Sequence, residues 1–172
     1  MLDTIPRGLT RAFTLFLLFL VPGLAHAQGR SIDLTIGGAG ISIGDSREVT
    51  GLRLNFRDRY LERVIGVNAT IWQPYEATGT VTGLALGLPA TGARRIDGIS
   101  VGVLGVSASE SLRGITIAGA GAAAGEDLVG LTIAGGGGAS GRDVRGIAIG
   151  GLGFGVGRYV RGVAVGGLVL GV

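Results

Sequence analysis

The sequence predicts an all-β fold, a β-solenoid of about eight 16-residue rungs with two short strands per rung. Three observations carry this expectation. A six-residue motif, aliphatic-x-Gly-aliphatic-x-aliphatic, recurs eight times. Its large apolar residues are spaced by two, as on a strand with one buried face. From Gly83 onward, charges appear only near one turn of the period, from Arg94 and Arg95 to Arg158 and Arg161.

Met1–Ala27 reads as a secretory signal peptide. Arg7 and Arg11 form a positive n-region, Ala12–Val21 is apolar but for Thr14, and Pro22-Gly23 ends any helix. Ala25-His26-Ala27 is a small-x-small cleavage site, which makes Gln28 the expected mature N-terminus. The apolar run is too short for a span of about 20 residues. Residues 28–48 precede the first motif copy and are assigned to N-terminal cap strands. Residues 49–172 form the Gly-rich repeat.

The motif glycines are Gly51, Gly66, Gly83, Gly98, Gly114, Gly130, Gly146 and Gly162, spaced by 15, 17, 15, 16, 16, 16 and 16 residues. With the glycine as position 1, large apolar residues fall at positions 2, 4 and 15 in nearly every copy. Leu152, Phe154 and Val156 add positions 7, 9 and 11 of one rung. Spacings of 2 mark strands near positions 1–5 and 7–11, and spacings of 3 or 4 mark corners. A wide turn at positions 12–16 then closes each unit. On this reading the rung Gly114–Val129 has three core residues, Ile115, Ile117 and Leu128, and the glycines stand where the chain leaves the wide turn. They are structural turn glycines, with positive φ or a tight approach to the next rung as the reason. Asn55–Val64 is the one place where a helical turn fits. Gly/Ala runs at Ala118–Gly125 and Ala134–Gly141 imply close approach of two sheet faces.

One rung cannot fold alone. Burying three aliphatic side chains contributes about 1.5–3 kcal/mol each, while ordering 16 residues costs about 1–2 kcal/mol each. Each rung needs its neighbours, as in any nearest-neighbour array. A transmembrane barrel of hairpins is the alternative architecture, but it needs strands of about 9–11 residues and aromatic girdles. A Gly-zipper helix pair would need about 20 apolar residues.

Composition narrows the chemistry. Gly accounts for 36 of 172 residues, roughly three times ordinary usage. There is no Cys, no Lys, and the single His26 lies in the segment expected to be cleaved. Disulfides, cysteine or histidine metal sites and a Ser-His-Asp triad are thereby excluded from the mature chain. Removing Met1–Ala27 leaves 13 Arg against 11 acidic residues, a net charge of +2. An exported chain without Cys fits a bacterial envelope: the periplasm, the outer-membrane surface or the extracellular space.

Several motifs invite a chemical reading and fall short of it. Gly135–Gly138 followed by Asp143 suggests a calcium turn, but that motif repeats every nine residues with an Asp in each turn. The Gly runs lack the Gly-Lys-Ser/Thr of a phosphate loop. Asp58 with Glu62, and Glu126 with Asp127, are carboxylate pairs of the kind that act on sugars, but the short turns leave no cleft. No cofactor, metal or nucleic-acid partner is expected. Arg142, Arg145, Arg158 and Arg161 gather on the last rungs with Asp143 as the one nearby acid. They form a candidate anion or surface-binding patch. Trp72 and Tyr75 lie in the one 17-residue unit, as a candidate binding loop or a cap over the early rungs. Gly162–Val172 carries no charge and stops part-way through a rung. This predicts association through that end, with a second copy, a partner protein or a membrane surface.

The repeat style resembles the glycine-rich surface-repeat proteins of bacteria first noted as leptospiral surface repeats. The likeness covers Val49–Val172 and is best carried by Ile147-Ala148-Ile149-Gly150-Gly151-Leu152-Gly153. It implies location and architecture, and no activity comes with it. The functional expectation is an exported, non-enzymatic repeat protein with a structural or adhesive role in a bacterial envelope. The alternatives are a membrane-inserted Gly-rich β assembly, such as an outer-membrane barrel or pore, and a polysaccharide-acting solenoid enzyme.

Overall fold

The computed structural model describes residues 31–37, 39–56, 61–72 and 78–171; the segment read as a signal peptide, Met1–Ala27, lies outside them. The described chain is all β. Its strands are β1 (Ser31–Ile36), β2 (Ala39–Gly44), β3 (Glu48–Asn55), β4 (Arg63–Thr70), β5 (Thr80–Gly87), β6 (Ala90–Gly102) and β7 (Gly105–Ala118). They continue as β8 (Gly121–Ala124), β9 (Asp127–Ala134), β10 (Gly137–Ser140), β11 (Asp143–Gly150), β12 (Gly153–Val156), β13 (Tyr159–Gly166) and β14 (Val169–Gly171). Coils of about 16 residues stack into a β-solenoid of about seven turns. Eight motif glycines bound seven complete turns, and the coil that begins at Gly162 is partial.

Two faces run along the stack. The first is the parallel ladder β2, β3, β4, β5, the second half of β6, the second half of β7, β9, β11 and β13. Every motif glycine stands beside the next one, Gly51 on Gly66 through Gly146 on Gly162. The second face is the ladder of the first halves of β6 and β7 with β8, β10, β12 and β14. Strands pair rung to rung in parallel, which is the solenoid arrangement and not a barrel of hairpins.

Three details differ from the expected rung. The second face starts only at Ala90, so among the described residues the coils of β3 and β4 have one strand each. β6 and β7 run unbroken through the wide turn and join the two faces, with a register shift between Ala93 and Arg95. The helical turn expected at Asn55–Val64 falls mainly on residues 57–60, which lie outside the described residues. The ladder also starts earlier than residue 49. β2 pairs with β3 in parallel, setting Gly40 beside Gly51, and β1 folds back on β2 antiparallel. The 11-residue gap from Gly40 to Gly51 hides this copy from a search at period 16.

The core is the largest departure. The aliphatic residue two before each of the first seven motif glycines is buried: Val49, Val64, Val81, Ile96, Leu112, Leu128 and Val144 are all within 4 % exposure. Positions 3 and 5 also point inward, with Ala85, Ser100, Thr116, Thr132 and Ala148 at position 3 and Ala118 and Ala134 at position 5. Positions 2 and 4 therefore point outward. Ile115 and Ile117, expected in the core, are 40 % and 44 % exposed. Leu152 is exposed as well, while Phe154 and Val156 are buried as expected.

The cause is the thinness of the coil. At position 5 a Cβ on Gly87, Gly102, Gly150 or Gly166 would overlap the backbone of Ala90, Gly105, Gly153 or Val169 on the facing strand. Only small side chains fit there, so the bulky members of the motif take the other parity. The motif glycines sit within strands, not in turns. All eight have positive φ, from 108° at Gly114 to 140° at Gly162.

Backbone hydrogen bonding continues through the turns. Ala120, Gly136, Leu152 and Leu168 each donate to the residue 16 positions earlier, at 2.7, 2.9, 2.5 and 2.8 Å. Glu126, Arg142 and Arg158 do the same on the opposite edge, each at 2.8 Å. This accounts for the buried amides that the turns would otherwise leave unsatisfied.

Candidate functional site

The outward parity of positions 2 and 4 produces a continuous aliphatic surface. Position 2 contributes Leu52, Val67, Leu84, Ile99, Ile115, Leu131, Ile147 and Val163. Position 4 contributes Leu54, Ala69, Leu86, Val101, Ile117, Ile133, Ile149 and Val165. All are half-buried or exposed, and Ile41 and Ile43 of β2 extend both columns. Side chains at i and i+2 share a face, so the residue before each glycine lies beside position 2. That column reads Thr50, Ile65, Thr82, Asp97, Arg113, Val129, Arg145 and Arg161.

Beyond position 4 the chain turns tightly, and this edge is apolar too. Phe56, Ile71, Trp72, Leu88, Val103, Leu104, Leu152 and Leu168 are exposed along it. Phe56 and Trp72 stack with ring centroids 6.3 Å apart and planes 8° from parallel. Trp72 thus stands at the apolar edge, stacked on Phe56 and 48 % exposed. Its expected loop partner Tyr75 lies outside the described residues.

The wide-turn edge is charged, and there the arginines are largely matched. Arg142 Nη1 lies 3.0 Å from Glu126 and its Nε 3.9 Å from Asp127. Asp143, buried to 4 % exposure, takes Arg145 at 3.3 Å and Arg158 at 3.5 Å. The structure does align the four arginines expected to form an anion patch. It corrects the acid count, because Glu126 and Asp127 of the preceding coil join Asp143. Arg161 alone of the four makes no ion pair among the described residues. Arg94 and Arg95 both reach Glu110, at 3.2 and 3.3 Å, which extends the same pattern to earlier rungs.

The acids of the two carboxylate pairs, where described, face arginines. Glu126 and Asp127 share Arg142, and Glu62 binds Arg47 at 3.3 Å while Asp58 is outside the described residues. Among the described residues no three His, Cys, Asp or Glu side chains are placed to hold a metal ion. A shallow, open depression of about 560 Å³ lies on the second face, floored by Gly121, Ala123, Gly137, Ala139 and Gly153 and bounded by Leu152. It offers no acid, base or nucleophile.

Inside the coil a polar column runs where the sequence reading placed outward residues. Arg53 Nη1 donates to Asn68 Oδ1 at 3.0 Å, and the Ser100 and Thr116 hydroxyls are 2.9 Å apart, all buried. At the first strands Ser46 donates to Asp33 at 2.5 Å and shares a hydrogen bond with Ser42. Burial raises the Asp33 carboxyl, but hydrogen bonds from Ser42, Ser46 and Ser31 and the Arg53 charge outweigh this and hold it below its ordinary range.

The outward columns were missed for one reason, and the signal was present. Position 15 of one unit and position 2 of the next are three residues apart, which on an unbroken strand means opposite faces. Small residues at positions 3 and 5 marked the parity that faces a close neighbour. Comparison with protein-family models, curated proteins and solved structures finds no match.

Proposed function

We propose that this chain is an exported, non-enzymatic repeat protein with a structural or adhesive, surface-interaction role in a bacterial envelope. The observation that carries the reading is the aliphatic face of positions 2 and 4. Soluble monomers seldom expose an ordered apolar patch of this extent, and such patches mark interaction surfaces. The signal-peptide pattern of Met1–Ala27 and the resemblance to bacterial surface-repeat proteins support export to the envelope. A homo-oligomer through the last rung is a second element of the reading. It is favoured by β13 and β14, which pair only with β11 and β12 among the described strands.

Fractionation of bacteria expressing the full chain with a C-terminal tag tests the proposal. The expected product begins at Gln28 and is found in the envelope or medium. Outward substitutions such as Ile117→Asp and Ile133→Asp should release it from the envelope without preventing export. Unprocessed chain in the cytoplasm would overturn the reading.

A further inference from the structure

We propose that the aliphatic face and the tight-turn edge beside it dock onto the surface of an anionic lipid bilayer, with the arginines that flank the face at headgroup level and the wide turns beyond them in water. This rests on the surface-interaction reading above and names its partner.

Three features of the face select hydrocarbon over a protein surface. Positions 2 and 4 offer only aliphatic side chains, so nothing on them directs a hydrogen bond. Their arrangement repeats at every rung, about 4.8 Å apart. A protein dimer across such a face would fit equally well one rung up or down, whereas fluid acyl chains need no register. The strip spans nine paired strands, from β2 to β13. At that spacing it is about 40 Å long and about 10 Å wide, long enough to lie along a membrane plane as amphipathic surface helices do.

The flanks agree with that orientation. Beyond position 4 stand Phe56, Trp72, Leu88 and Leu104, all exposed. Aromatic rings of this kind favour the membrane–water boundary. On the other side, the column before the glycines carries Arg113, Arg145 and Arg161 against the single acid Asp97. Arg113 is 4.0 Å from Asp97 and Arg145 is 3.3 Å from Asp143, while Arg161 has no ion-pair partner among the described residues. Guanidinium groups there lie level with lipid phosphates once the aliphatic columns are immersed, which matches charge to an anionic headgroup layer.

Trp72 is the only tryptophan of the chain and lies on the immersed edge, so its fluorescence reports docking directly, independently of residues 1–27. The full chain is mixed with phosphatidylcholine vesicles, with and without about one third phosphatidylglycerol. Trp72 emission should shift to the blue and be quenched by bromine-labelled acyl chains, more strongly with phosphatidylglycerol and less at high salt. The pair Ile117→Asp and Ile133→Asp should weaken vesicle binding by about tenfold or more. Ala123→Asp and Ala139→Asp on the second face should leave it within about twofold. If the first pair fails to fold by circular dichroism, the exposed pair Leu88→Glu and Leu104→Glu takes its place. Arg145→Glu with Arg161→Glu should remove only the phosphatidylglycerol increment. Unchanged Trp72 emission with every vesicle would overturn the inference, as would equal loss from both faces. A stable dimer that buries positions 2 and 4 and excludes lipid would overturn it too. A chain that reaches the envelope but ignores lipid vesicles refutes this inference alone. A chain that is never exported refutes the reading beneath it.

Discussion

At Gly130 the backbone holds φ at +109°, and a Cβ there would overlap the carbonyl oxygen of Gly114 in the preceding coil. Backbone strain and backbone contact act together, so Gly130→Val is expected to cost about 3 kcal/mol or more. Ser140 in the same coil cannot serve as a neutral control for this substitution. It is buried and its hydroxyl donates to Glu126 O at 2.6 Å and Asp143 O at 3.0 Å. Ala139, exposed on the second face, is the proper control, and Ala139→Val should stay within about 0.5 kcal/mol. Thermal melts should separate the two by about 6–12 °C. A second pair tests side-chain fit. Phe154 is 2 % exposed and stands in register with Gly138, whose missing side chain makes room for its ring. Phe154→Ala should cost about 3–5 kcal/mol. Adding Gly138→Leu should recover part of the loss in that background and destabilise the wild type, as read by denaturant midpoints.

Among the elements, the first hairpin depends on its polar contacts. β1 exposes Ile32, Leu34 and Ile36, so apolar burial contributes little to holding it. Asp33 of β1 instead accepts from Ser46 and Ser31 and faces the Arg53 charge. Its carboxyl titrates below the ordinary range, so the folded state favours the charged form. That contribution is full at neutral pH and is lost as pH falls through the ordinary range toward the folded-state value. Protection factors of the β1 and β2 amides, taken relative to the intrinsic exchange rate at each pH, should therefore fall on acidification before those of β9 and β11 do, and Asp33→Asn should show the lowered protection already at neutral pH. The motif strands from β3 to β13 were legible because each copy repeats one hydrophobic pattern. β2 was expected as a cap strand, but its place in the ladder was hidden, since its glycine precedes the next by 11 residues. The full length of β6 and β7 was not legible, because a strand that bends through a corner leaves no mark in a pattern of apolar spacings.

Across the whole molecule, charge and hydrophobicity are separated laterally, with ion pairs on the wide-turn edge and aliphatic or aromatic residues on the face and edge opposite. The exposed ion pairs contribute little each, about 0–1 kcal/mol, and act mainly to keep that edge wet and unpaired. The last coil departs from the others. Val160 and Ala164 are only partly buried there, whereas Val144 and Ala148 of the preceding coil are at 2 % and 0 % exposure. Leu168 is 79 % exposed beside the open edge of β14. Val165→Asp with Leu168→Asp should shift the chain toward monomer in sedimentation velocity. A wild type that is monomeric at high concentration without detergent would refute association at this end.

The sequence by itself determined the repeat, its period, the all-β class and the separation of charge to one edge. Each of these follows from residue spacing, and spacing is a property of the chain. Only the tertiary structure decided which parity of the strand faces inward. The spacing of two at positions 2 and 4 fits either side, and the three-residue step from position 15 fixes the parity only where the strand runs unbroken through the glycine, which is a tertiary fact. Burial of the larger side chains would have been favoured had the two faces been about 10 Å apart, as in ordinary packed sheets. The tight turn after position 5 brings the backbone of Gly87, Gly102 and Gly150 against the facing strand. That contact leaves room only for small side chains at position 5 of those coils and turns the aliphatic columns outward.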